Sequence, residues 1–293
     1  MLQYMVKDPS PAFKKFLPDA LSICYDHIYP IISGRSSPDL KVPLFSLVRD
    51  AVNYRWSYFF PSLHHLVRSL NSSSNRNQQE ISQASTSSPS SQDSTVASKR
   101  LDQIFQSVGQ SFLQSDLEVF KFNLASLTLW NEKHGFFTKV ATQFPHVFDQ
   151  FMMVLFQVLL QKSHDILRDD ISLVLCDMAK VDFGKFCNKF LPDFLTLHFL
   201  ALTEEQRELL LGKFKCATGG GGGHGDFMMS GSRHRTDLNK GGDSAIDTPT
   251  FTLMLGRFVD DLRFYHFIIE CERMSRNNVN KVSSNLQDLK SRE

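Results

Sequence analysis

FDQFMMVLFQVLLQKSHDILRDDISLVLCDMAKVDFGKFCNKFLPDFLTL, residues 148–197, carries the pattern that decides the fold. Phe148, Phe151, Met152, Leu155, Val158 and Leu159 fall three and four apart, which puts them on one stripe of a helix. Met153, Val154, Phe156 and Leu160 extend the apolar character around the other side, so this helix needs neighbours on more than one flank. The inner helix of a stacked repeat has that requirement. The next segment sets Leu167, Ile171, Val174, Leu175 and Met178 against Arg168, Asp169 and Asp170, an amphipathic helix whose first turn Asp165 is placed to cap. Phe183, Phe186, Phe190, Phe194 and Leu197 then repeat at threes and fours, with Pro192 predicting a kink or a break.

Outward from this stretch the period stays helical. Residues 13–32, 44–60, 62–70, 101–113 and 117–133 read as helices upstream, with a short helix over 204–214 and a last one, after Pro249, built on Phe251, Leu255, Phe258, Leu262 and Tyr265. No alternating run bounded by hairpin turns occurs. Two segments interrupt the pattern. Residues 71–98 are rich in Ser, Asn and Gln and nearly free of large apolar groups, which predicts a disordered loop. Residues 216–248 contain the run from Gly219 to Gly223 and predict a flexible insertion. The expected organisation is therefore helical repeats over 1–70 and 99–215, a terminal helix over 249–275 and a polar tail over 276–293. Paired amphipathic and fully apolar helices joined by short breaks predict an all-α, HEAT-type solenoid of antiparallel helix pairs, with units of about 40–47 residues. A compact bundle is the alternative that periodicity leaves open.

Composition narrows the functions. The 293 residues carry 26 Phe against 2 Trp and 6 Tyr, so many rings should lie between packed helices. With 32 basic and 31 acidic side chains, net charge +1, nothing steers the chain toward nucleic acid or an anionic membrane. The 5 cysteines (Cys24, Cys176, Cys187, Cys216 and Cys271) are scattered, which argues against a disulfide framework or a zinc ribbon and for a reducing compartment. The amino-terminal residues do not read as a signal peptide, and the longest apolar run, 151–160, is too short to cross a bilayer. A soluble protein is expected.

Each candidate for chemistry has a plainer explanation. Ser163, His164 and Asp165 spell a triad, but neighbours on a helix point about 100° apart and cannot converge on one substrate. The glycine run has neither a preceding strand nor the Gly-Lys-Ser/Thr of a phosphate loop. His64 and His65 are adjacent and face different sides of any helix. His164, Cys176, Cys187 and His198 stand at no recognised ligand spacing. Asp260 and Asp261, with Arg257 and Arg263, read as a solvated, salt-bridged helix face. The sequence thus predicts no enzyme, no cofactor, no metal site and no catalytic residue.

Several segments carry a family likeness. VLLQKSHDILRDDISLVLCDMAKVDFGKFCNKFLPDFL (158–195), VPLFSLVRDAVNYRWSYFF (42–60), QSVGQSFLQSDLEVFKFNLASL (106–127) and the closing FTLMLGRFVDDLRFYHF (251–267) resemble the carboxy-terminal repeats of the exportin-six family. That family lies within the importin-β-like, or karyopherin, transport receptors. The resemblance implies a HEAT-repeat nuclear export receptor that shuttles between nucleus and cytoplasm. It implies Ran-GTP as partner, mainly through repeats outside the matched region, together with nuclear pore proteins and an actin–profilin cargo. No family motif for cargo contact can be laid on these positions, so the cargo-binding residues stay unknown at this stage. A helical-repeat scaffold without Ran-dependent transport is the competing reading.

Overall fold

Helix formation follows the apolar period, and every regular element among the described residues is helical. The computed structural model describes residues 2–8, 10, 15–35, 37–60, 91–215 and 247–290. In chain order these are α1 (Leu2–Lys7), α2 (residues 17–32), α3 (Pro38–Tyr54), α4 (Trp56–Phe59), α5 (Ser91–Phe112), α6 (Leu117–His134), α7 (Phe136–Gln143) and α8 (Pro145–Leu160). After a 3-10 segment, Lys162–Leu167, come α9 (Arg168–Ala179), α10 (residues 183–198), α11 (Glu204–Lys215) and α12 (Thr248–Lys290). Local chemistry explains several ends. The Asp116 carboxylate accepts from Val119 N at 3.2 Å and caps α6, and Asp182 does the same for α10 from Lys185 N at 2.8 Å. Gly135 closes α6 with φ 63°, the left-handed conformation that a side chain resists.

Two prolines are handled in the same way. A proline inside a helix removes a donor and drives its ring at the carbonyl four residues back. α2 is α-helical over Leu17–Ser22, widens to a π-helix over Ile23–Ile28 and resumes over Tyr29–Ile32, where Pro30 sits. α10 repeats this with Phe183–Lys185, a π-helical Phe186–Phe190, and Leu191–His198 containing Pro192. Where a kink or break is expected at Pro192, the helix carries a π turn just before it.

The chain divides into two units, Met1–Val158 and Leu159–Glu293. In the first, hydrogen bonds reveal the repeat. Tyr29 Oη donates to Gln110 Oε1 at 3.0 Å and Tyr25 Oη pairs with Ser107 Oγ at 3.0 Å, joining α2 to α5 at separations of 81 and 82 residues. Trp130 Nε1 donates to Arg49 O at 3.1 Å, and the His134 ring pairs with Asn53 O at 3.0 Å, joining α3 to α6 at a separation of 81. A constant separation means that the joined helices run parallel, as equivalent helices of successive pairs must. That step includes residues 61–90, outside the described set. Where no such segment intervenes the step is shorter: Gln3 on α1 donates to Ser46 and Asp50 on α3, 43 and 47 residues away, at 2.9 and 2.7 Å. This is the length of a HEAT or armadillo unit, about 40–47 residues. Inside, Phe105 touches Phe136, Phe144 and Phe151 with centroids 5.9, 5.7 and 6.0 Å apart, so the abundant Phe fills the space between helices as expected.

In the second unit α9 and α12 lie antiparallel. Arg168 at the start of α9 reaches Gly256 O and Asp260, whereas Lys180, just after its end, reaches Thr248 Oγ1 at 2.8 Å. Phe186, Phe190 and Phe194 stack along α10, and Phe186 also meets Phe214 of α11 and Phe251 of α12, each at 5.7 Å.

Several boundaries differ from expectation. α5 begins at Ser91, so residues 91–98 of the expected 71–98 loop are helical, while 71–90 lie outside the described residues. α12 runs to Lys290, through most of the expected 276–293 tail. The 44–60 helix starts at Pro38 and breaks at Arg55. Helix 62–70 and insertion residues 216–246 lie outside the described set. Asp165 caps nothing: both the 3-10 segment and α9 lack a side-chain cap, because this carboxylate faces Arg263.

Candidate protein-interaction surface

The residues singled out for chemistry are dispersed. Ser163, His164 and Asp165 share one 3-10 turn, with His164 buried and Asp165 ion-paired to Arg263 at 2.5 Å. The Arg263 guanidinium beside Asp165 holds that carboxyl below the usual range. His64 and His65 lie outside the described residues. Cys176 is buried with its Sγ 3.8 Å from Thr248 Oγ1, whereas Cys187 is buried within α10, where desolvation pushes its thiol up to about 11. His198 rests on the Phe194 ring, 5.0 Å between centroids. Among the described residues no three His, Cys, Asp or Glu side chains converge to hold a metal ion, and no helix is long and apolar enough to cross a membrane. Asp260 and Arg263 are salt-bridged, but across to α9 and the 3-10 turn rather than along their own helix.

Those cross-helix pairs shape a groove. Arg263 Nη2 donates to Leu159 O at 2.6 Å and to Asp165, fixing the rotation of α12. Arg168 Nη2 donates to Gly256 O at 2.9 Å and to Asp260 Oδ1 at 2.8 Å. A small residue at 256 leaves the guanidinium room to lie on the α12 backbone. Between α9 and α12 this leaves a cavity of about 670 Å³, with Ser172 and Leu173 on one wall and Pro249, Thr252 and Leu253 on the other. Leu173 is 48% exposed and Leu253 57%. Asp169 on α9 and Arg257 on α12 also line it; both are exposed, and no side-chain hydrogen bond or ion pair joins either to another described residue.

The face of α12 that carries Leu253 continues outward. Phe264 is 61% and Phe267 65% exposed, with Cys271 exposed one turn further. Arg257 and Asp260 stand between Leu253 and the Phe264–Phe267 pair on this face, and grouped exposed apolar side chains mark interaction sites more often than isolated ones do. In the sequence this face is overshadowed by the stronger apolar period of the buried stripe, Phe251, Leu255, Phe258 and Leu262. The available signal was the presence of Leu253, Phe264 and Phe267 off that stripe.

The family described as exportin-6, C-terminal TPR repeats, matches residues 52–269. Its description names tetratricopeptide repeats, whose unit is about 34 residues; the 43- and 47-residue steps seen here are longer. The chain is 34% identical over 265 residues to Exportin-6-B of Xenopus laevis and 33% identical over 267 residues to Exportin-6 of Homo sapiens, covering 90% of this chain in each case. It is 24% identical over 268 residues, 92% of this chain, to Exportin-6 of Dictyostelium discoideum. The matched region is 19% of the length of each of these relatives. No solved structure matches the chain.

Proposed function

The chain belongs to the exportin-6 family, and from that premise we propose that it serves as the carboxy-terminal, cargo-side part of a nuclear export receptor. Its work is Ran-GTP-dependent export of protein cargo, with actin–profilin as that cargo, through nuclear pore proteins, by a receptor that moves between nucleus and cytoplasm. The family match over residues 52–269 carries the reading. The architecture suits it. Within the first unit equivalent helices of successive pairs stack in parallel, and stacked repeats offer a surface that can hold a protein partner and adjust by small changes at each step. The exposed apolar side chains of α12 and the groove beside it are in keeping with a protein-binding role. No part of this function asks for an enzyme's convergent acid, base or metal.

A capture experiment on the purified chain tests the proposal. Actin–profilin is presented with Ran loaded with GTP, with Ran loaded with GDP, and with no Ran. Retention that depends on the GTP form supports an export role. Equal retention in all three arms replaces transport with scaffolding, since a scaffold has no reason to sense the nucleotide on Ran. A folded chain that retains nothing in any arm removes the cargo assignment.

A further inference from the structure

We infer that the carboxy-terminal half of α12, residues 264–289, is a self-association surface on which a second copy of this chain lies antiparallel, helix against helix. The inference stands apart from the export reading and concerns a face that α12 does not use for its packing within the second unit.

α12 carries two apolar faces. The first, Phe251, Leu255, Phe258 and Leu262, is buried in the second unit. Beyond Arg263 the apolar positions change sides. Phe264, Phe267, Cys271 and Met274 follow one another at three, four and three, and Val279, Val282, Leu286 and Leu289 repeat that spacing. At 100° per residue the centre of this later set lies roughly 160° around the helix from the buried stripe, so it turns away from the packing that α12 already has. Phe264, Phe267 and Met274 are each more than half exposed, and every residue from Cys271 to Ser275 is exposed, yet the helix continues to Lys290. Asn277, Asn278, Asn280, Ser283, Ser284 and Asn285 are weak helix formers, and a helix that includes so many of them holds through packing of its apolar face against a partner.

The spacing selects that partner. Three and four in alternation make the seam of a helix pair. The full series, three, four, three, five, three, four, three, reads the same in both directions, with its midpoint between Arg276 and Asn277. A surface that repeats about a midpoint is complementary to itself under a two-fold axis. Laid antiparallel about that point, Phe264 falls opposite Leu289 of the second copy, Phe267 opposite Leu286, Cys271 opposite Val282 and Met274 opposite Val279. The odd five-residue step sits at the two-fold, where Ser275 faces Asn278, and polar groups inside such a seam fix its register. Charge agrees with this direction. Glu270 and Lys281 lie along the same edge of the seam, and the antiparallel alignment sets Glu270 about 3 Å along the axis from Lys281 of the second copy. A parallel pairing leaves those two about 16 Å apart along the axis. The contact would run for about 38 Å.

Sedimentation of the full chain measures the association, and cross-linking reads its direction. Cys271 is exposed, whereas Cys24, Cys176 and Cys187 are buried, so the cross-linking is done in a Cys216→Ser background. In the antiparallel pair the two Cys271 side chains stand about 16 Å apart along the axis, too far for a disulfide. Val282→Cys places a second thiol opposite Cys271 of the other copy, and Asn280→Cys places one on the far side of the helix as a control. Expected are a concentration-dependent dimer, and a disulfide-linked dimer on mild oxidation of Val282→Cys but not of the parent or the control. Phe267→Ser combined with Leu286→Ser should weaken the dimer about tenfold or more. Glu270→Lys should weaken it about fivefold, and Glu270→Lys combined with Lys281→Glu should restore it, which a variant that merely misfolds does not do. A parent chain still monomeric at about 100 μM overturns the inference. So does a dimer that the seam variants leave unchanged, or one that oxidation links through Cys271 to Cys271.

Discussion

Asp26 on α2 accepts two hydrogen bonds from the Arg100 guanidinium of α5, at 2.6 and 2.5 Å, and a third from the Ser22 hydroxyl at 2.6 Å. The arginine first and the serine second hold its carboxyl well below the usual carboxylate range. A depressed folded value contributes stability that is fully present above the unfolded value, near 4, and is lost as pH falls from there toward the folded one. Asp26→Asn should therefore melt below the parent chain between pH 5 and 7 by a constant margin, and that margin should close as the buffer is taken below about pH 4. Thermal melts of both proteins across that range check it; a margin that persists unchanged at acid pH assigns the loss to packing instead of charge. This pair is also a lesson in what single residues disclose. Asp26 and Arg100 stand 74 apart in the chain, and Asp165 and Arg263 stand 98 apart. Nothing local marks either partner. For Asp165 the local signal, an acidic residue before an apolar period, spoke for a helix cap, and the distant guanidinium won because a bidentate charged pair outweighs one backbone donor.

The π turns of α2 and α10 show what an element adds. An extra residue in one turn rotates everything after it by about 100°. Beyond the π turn of α10, Phe194 and Leu195 are fully buried, so the rotated phase is the one the core uses. Removing Pro192 alone should not undo it. Pro192→Ala is expected to keep the π turn at Phe186–Phe190 and to change stability by less than about 1 kcal/mol. A structure of the variant decides between packing and proline as the cause: a healed α-helix with Phe194 turned outward would show that the proline held the bulge by itself. Helices as such were legible, because threes and fours of Phe and Leu survive any local disturbance. Their ends were less so. The start of α5 at Ser91 hides in a polar stretch whose helical character depends on Ala97, Arg100 and Leu101 being buried against the rest of the unit. The groove beside α9 was invisible for a related reason, since it depends on where Arg168 lies on another helix.

The repeat itself emerges only at the scale of the molecule. No consensus recurs along the chain, and the repeat shows in hydrogen bonds between equivalent helices, 43 to 47 residues apart in one step and a constant 81 in the next. Repeat units contact mainly their neighbours, so stability is a sum of local terms and different parts of a chain need not unfold together. The two units here carry separate aromatic cores, one around Phe105 and Phe136, the other around Phe186 and Phe214. Both tryptophans, Trp56 and Trp130, belong to the first unit, and Trp130 is almost wholly buried. Tryptophan fluorescence therefore reports on Met1–Val158 alone, while far-ultraviolet circular dichroism reports on the helices of both units. Guanidinium titration followed by the two signals should give non-coincident curves, with a dichroism transition broader than the fluorescence one or split from it. Coincident curves would mean that the two cores share one cooperative transition, in which case a substitution in α12 would be felt as far away as Trp130. Separate curves would instead allow the exposed row of α12 in the second unit to be altered while the first unit keeps its repeat register intact.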